Sequence, residues 1–176
     1  MVWLLFFVLS CVVHDDYLHD YQLIDKKLET FVIGSPFRKA TWMIEPDVRI
    51  CSSTEVTAFR ASQAVRFWER LGYKFGGITV DHNPSCMNAR FGEILITLPE
   101  GSFAGTHMAS TKIYTRLDNN KIVKAKIFIM PKYSKKQRVL EHEIGHALGW
   151  SHYNQKFHIM HPNWFLGGLD TKGLKD

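Results

Sequence analysis

Cysteine is scarce in this chain, three residues in 176, and no two of them stand in a CxxC spacing, which excludes a cysteine-built zinc knuckle. No internal repeat and no low-complexity segment is present, so a solenoid or repeat array is excluded. No apolar run is long enough to cross a bilayer comfortably. No dense basic stripe exists either: the net charge is +5 and the lysines and arginines are scattered, so no nucleic-acid partner is expected. The densest basic group, Lys132, Lys135, Lys136 and Arg138, sits beside helix-start signals and reads as a solvated helix face rather than a phosphate contact. What is there is ordinary globular composition, 45% hydrophobic, 22% charged and 13% aromatic, enough for one domain with a proper core.

The first residues, "MVWLLFFVLSCVV", form a short apolar run like a secretory h-region, although no Lys or Arg precedes it. Its end, "VLSC", resembles the lipobox of bacterial lipoproteins, with Cys11 as the acylated residue. The expected organisation is a signal peptide or lipoprotein signal over 1–13, a polar leader or tether over 14–36, and one domain over 37–176. Export is expected, whether secreted, periplasmic or lipid-anchored at a cell surface. Cys51 and Cys86 then remain as a pair: either a disulfide, which would add about 3 kcal/mol for a loop of this size, or two unrelated buried thiols.

Along the domain, "ATWMIEPDVRI" supplies strand-type residues before Cys51. Ser52 and Glu55 form a capping box for a helix whose apolar positions are Ala61, Ala64, Val65, Trp68 and Leu71, with Gly72 as its stop. "FGGITVD" and "GEILITL" read as short strands, and "HMASTKIYTRLDNNKIVKAKIFIM" as two strands around the turn Asp118-Asn119-Asn120. A second helix is expected after Pro131, with Ser134 and Gln137 as its capping box and Gly149 as its end. The tail from Ser151 onward is irregular.

The second helix carries the chemistry. The stretch from Leu140 to Pro162 holds five of the nine histidines. At helical spacing Leu140, Ile144, Ala147 and Leu148 fall in one apolar stripe, while His142 and His146 stack one turn apart on nearly the opposite side. A buried core histidine would share the apolar stripe; these two do not. Two imidazoles at i and i+4 can both reach one metal ion at about 2.0–2.1 Å. Glu143 points about a quarter turn aside, away from the same ligand shell but within reach of a metal-held water. Gly149 can take positive φ without a Cβ penalty, which lets the chain turn and bring His152 back to the site. From this chain's content of His, Glu and Gly, chance would give the full string on the order of once in ten thousand sequences.

The string His142-Glu143-x-x-His146-x-x-Gly149-x-x-His152 resembles the zinc signature of the metzincin clan of metallopeptidases, and Met160 in "HIMHP" resembles that clan's methionine turn. Pro162 stands where astacins carry a metal-assisting tyrosine, so the resemblance is to the matrixin-like branch, over roughly Lys39 to Pro162. It implies an α+β fold: a twisted, mostly parallel sheet, one antiparallel edge strand along the cleft, two main helices, and a zinc site below the sheet edge. It implies one catalytic Zn²⁺ held by His142, His146 and His152, with Glu143 as the catalytic base. The substrate-pairing edge strand would lie near Phe103 to Thr111. The matrixin cysteine-switch motif is missing, the leader is short for a full prodomain, and only fourteen residues follow Pro162, so the family's third helix is expected to be truncated or absent.

The remaining histidines have weaker indications. His158 and His161 flank the methionine turn, His107 falls on the expected edge strand where substrate would pass, and His82 reads as a loop residue. Tyr133 and Tyr153 are candidate transition-state donors, and a leader carboxylate from Asp15, Asp16, Asp20 or Asp25 could cover the metal. The function expected is a monomeric zinc endopeptidase acting on protein or peptide, with a membrane tether only through the N-terminus. The competing readings are a catalytically silent, zinc-stabilised binding module and a metal-dependent amidase for a non-protein substrate.

Overall fold

The computed structural model describes residues 21–24, 34–99 and 107–176. The signal segment 1–13 with Cys11, the leader carboxylates Asp15, Asp16, Asp20 and Asp25, and the stretch Phe103 to Thr106 lie outside the described residues.

The strands are β1 (Tyr21–Ile24), β2 (Asp47–Cys51), β3 (Ile78–Asp81), β4 (Glu93–Thr97), β5 (Ala109–Arg116) and β6 (Ile122–Ile129), with helices α1 (Ala58–Glu69) and α2 (Val139–Ala147). They form one sheet in the order β1-β5-β6-β4-β2-β3. The pairs β2–β3, β2–β4 and β4–β6 are parallel, whereas β5 runs antiparallel to β6. Over β2–β6 this is a mostly parallel sheet with one antiparallel pair and two helices, the coarse architecture that the resemblance implied.

Period-two alternation sorts the side chains. Val48 and Ile50 of β2 join the main core with Trp68 of α1 and Leu140 and Ile144 of α2. Arg49 and Cys51, one residue out of step, face the other side of the sheet. There Cys51, Cys86, Ala89 and Leu95 make a second, smaller cluster. With both faces covered, every residue of β4 is buried, as a central parallel strand requires. Among the described residues no helix is long and apolar enough to cross a membrane.

The two cysteines resolve the alternative left open by the sequence: Cys51 and Cys86 are disulfide-bonded, with a Cα–Cα separation of 5.6 Å. The loop they tie down is also held by Arg49, which donates to both Glu93 oxygens at 2.7 and 2.9 Å, to Asp81 at 2.6 Å and to the Asn88 carbonyl at 2.7 Å. For Glu93, burial alone would raise the carboxyl pKa, but Arg49 and the Arg90 amide outweigh it and hold it below the ordinary value.

Four expectations are corrected. The first helix does not start at the Ser52/Glu55 box. Ser52–Thr54 form a 3₁₀ turn, Glu55 is left-handed at φ 60°, and the working cap is Thr57, whose hydroxyl accepts from Arg60 N at 3.1 Å. The second helix does not start after Pro131. Pro131–Tyr133 is a 3₁₀ turn, Arg138 is left-handed at φ 68°, and only then does α2 begin at Val139. The leader read as a tether contains β1, whose backbone pairs antiparallel with β5 from Tyr21↔Arg116 to Ile24↔Ile113. Finally, the expected edge segment near Phe103 to Thr111 overlaps β5 at Ala109–Thr111, but along Ile113–Arg116 β1 makes this strand an inner one rather than an edge.

Candidate metal centre

Three devices aim the imidazoles. α2 is held against α1 by Arg60, which grips Glu141 at 2.9 and 2.6 Å, and by the Trp68 indole N–H, which donates to the Glu141 carbonyl at 2.8 Å. The C-terminal carbonyls of α2 are capped from the 37–42 segment. Trp42 Nε1 donates to Ala147 O, and Arg38 Nε to Leu148 O, each at 2.9 Å. Gly149 then takes φ 96°, and a Cβ there would strike the Ala40 carbonyl. The chain can therefore turn under the helix only because residue 149 has no side chain, and the turn returns His152 to face His142.

The result is one cluster: ring nitrogens of His142, His146 and His152 all lie within 4.8 Å of one another, and the three could hold a metal ion. Its finer geometry is informative. His142 Nδ1 faces the Ile159 carbonyl at 2.7 Å and His146 Nδ1 the Trp150 carbonyl at 2.7 Å. A carbonyl only accepts, so both Nδ1 atoms carry a proton, and in the neutral imidazole, the form that binds a metal, each Nε2 is then a lone-pair acceptor. Those acceptors stand 3.0 Å apart, and His152 Nε2 is 3.2 Å from His142 Nε2. Two acceptors at such a distance repel unless they share a cation. A tetrahedral ion with nitrogens at about 2.0–2.1 Å keeps its donors about 3.3 Å apart, close to what is seen. The donor set fits a divalent ion of zinc's type.

Glu143 is buried beside this cluster, on the β5 side of α2. Its carboxylate Oε2 accepts from the Thr111 hydroxyl at 2.6 Å, and its main-chain carbonyl lies 3.1 Å from the same hydroxyl. Met160 is fully buried against Gly145, between the two helical histidines in sequence. A Cβ at Gly145 would collide with the Met160 sulfur and lie 2.7 Å from Trp68 Cζ2.

The other candidates are not gathered here. His158 is fully buried: its Nδ1 accepts from Met160 N at 3.1 Å and its Nε2 donates to the Lys172 carbonyl at 3.2 Å. Burial holds its pKa below the usual histidine range, so it serves as a neutral clamp between the methionine turn and the C-terminal tail. His161 Nδ1 accepts from Asn163 N at 2.9 Å. His82 and His107 are exposed. The Tyr153 hydroxyl donates to Gly34 O at 3.4 Å, and Tyr133 lies under Lys132 and Lys136 at 4.9 and 5.5 Å. Part of the basic group meets an aromatic rather than open solvent: Lys136 and Arg138 cover the Trp164 ring at 3.9 and 4.3 Å.

Scans of the chain against protein-family models and against curated proteins found no match. The chemistry of the centre therefore rests on the geometry above. Thr111 and Gly145 escaped the sequence reading. Thr111 is one polar residue in an alternating strand, and Gly145 is one of the motif's variable positions.

Proposed function

We propose that this protein is an exported, zinc-dependent endopeptidase of the metzincin clan, matrixin-like in its signature. The observation that carries the proposal is the pair of Nδ1–H bonds to backbone carbonyls, which leaves imidazole Nε2 atoms converging at 3.0–3.2 Å beside a buried glutamate. Three imidazole nitrogens suit zinc, and a site with three protein ligands leaves its fourth position to water or substrate, as catalytic rather than structural sites do. Bound there, zinc supplies Lewis-acid polarisation of a carbonyl and lowers the pKa of a water to about 7.

The chain's own residues do the rest. His142 and His146 are fixed in one tautomer by Ile159 and Trp150, so no rearrangement is needed for ligation. Glu143 takes the proton of the attacking water on its carboxylate and returns it to the leaving amine. β5 supports a polypeptide rather than a small amide as substrate. Among the described residues β1 pairs with β5 only from Ile113 to Arg116, and an extended chain could add along Ala109–Lys112 as a further strand. The Cys51–Cys86 disulfide supports an oxidising, extracytoplasmic location.

A zinc assay combined with digestion of denatured casein tests the proposal. Glu143→Ala is expected to retain one zinc per chain and to lose hydrolysis by at least about 10²-fold. His146→Ala should lose the metal. Zinc-independent cleavage, or native-rate cleavage by Glu143→Ala, would refute the reading.

A further inference from the structure

Resting on that peptidase reading, we infer that Thr111 is the positioning residue for the Glu143 carboxylate. Its hydroxyl holds Oε2 from the sheet side and leaves Oε1 for the water.

A glutamate on a helix has three free side-chain torsions, and fixing them costs entropy. A general base nevertheless has to keep one oxygen within hydrogen-bond reach of the water. Something must therefore anchor the other oxygen. The Thr111 hydroxyl has one proton and two acceptors in reach, the carboxylate at 2.6 Å and the Glu143 carbonyl at 3.1 Å. The shorter contact is charge-assisted and takes the proton. Both partners are buried, Thr111 7% and Glu143 4% exposed, so water competes little for this bond.

The anchor comes from a suitable element. In β5 the buried positions are Ala109, Thr111, Ile113 and Thr115, and alternation turns these away from the face carrying Ser110, Lys112, Tyr114 and Arg116. Thr111 thus faces α2, while its own backbone belongs to the β5 span that the described residues of β1 do not pair and that the peptidase reading gives to substrate. The base and the polypeptide it acts upon are referenced to the same strand, one through a side chain and the other through main-chain groups.

A purely structural threonine, placed for strand propensity and a bond to the helix carbonyl, predicts different behaviour, and two substitutions separate them. Thr111→Val keeps shape and branching but removes the hydroxyl. Thr111→Ser keeps the hydroxyl. In Thr111→Val, kcat on a peptide substrate is expected to fall about 10–100-fold with KM and zinc content unchanged. Thr111→Ser should recover kcat to within a few-fold of the parent. A crystal structure of zinc-loaded Thr111→Val should show the Glu143 carboxylate displaced over an unchanged backbone. A wild-type kcat in Thr111→Val, an unmoved carboxylate, no recovery in Thr111→Ser, or a fall explained by lost zinc or lost fold would each overturn the inference while leaving the peptidase reading standing. A wild-type protein without zinc-dependent hydrolysis would overturn both.

Discussion

Gly145 lies in the middle of α2, where alanine would ordinarily raise helix stability by about 1 kcal/mol. Here the added Cβ would meet Met160 Sδ and Trp68 Cζ2, both in fully buried side chains with little room to retreat. Overpacking of this kind costs about 1–3 kcal/mol, so the packing term outweighs the propensity term. Gly145→Ala is therefore expected to lower the thermal midpoint by several degrees in calorimetry, and a higher midpoint would show that Met160 does not lie against the helix. The three clustered histidines were legible in the sequence because the motif places His142 and His146 at fixed offsets on a helix and His152 just past the Gly149 turn. The role of Gly145 was not. It depends on Trp68 and Met160, which come from other elements and meet only in the folded chain.

Among the elements, those with strong hydrophobic periodicity were the ones read correctly: α1 through Ala61, Ala64, Val65 and Trp68, and β5 and β6 through alternation around the Asp118–Asn120 turn. Their starts were misread for a local reason. Ser52/Glu55 and Ser134/Gln137 both have capping-box spacing, but a left-handed residue intervenes before each helix, Glu55 in one case and Arg138 in the other, and each delays the helical turn by several residues. β1 was missed because four residues in a polar leader give no periodicity to detect; what defines them is the partner strand. That pairing has a consequence for substrate. Main-chain groups of β5 from Ile113 to Arg116 are already used by β1, so on the peptidase reading an added polypeptide cannot pair with them while β1 is in place. A chain beginning at Gly34 is expected to bind long unfolded substrates with a severalfold lower KM and to treat short peptides as the parent does. Equal KM values for long substrates in the two proteins would show that β1 does not limit the binding strand.

Across the whole molecule, the sheet separates two regions that are held by different chemistry. On one face the helices and Met160 pack into the main core, with the three clustered imidazoles beside it. On the other, a small apolar cluster, the Arg49 ion pairs and the Cys51–Cys86 bond fasten the loop after β3. The bridge closes a loop with a sequence separation of 35 residues. Limiting the unfolded chain to that extent is worth about 3–4 kcal/mol. In a chain of this size that corresponds to a fall of about 10 °C in thermal midpoint on reduction. The metal centre should not share the loss. No ligand comes from the disulfide loop, and Ile159 and Trp150, which orient two of the imidazoles, pack in the opposite cluster. Below the new midpoint the reduced protein should still carry one zinc per chain and show its full peptidase rate, measured with the thiols kept alkylated. Zinc release in step with reduction, at a temperature where the fold is intact, would mean that the two faces are coupled through the sheet and that the centre depends on the bridge after all.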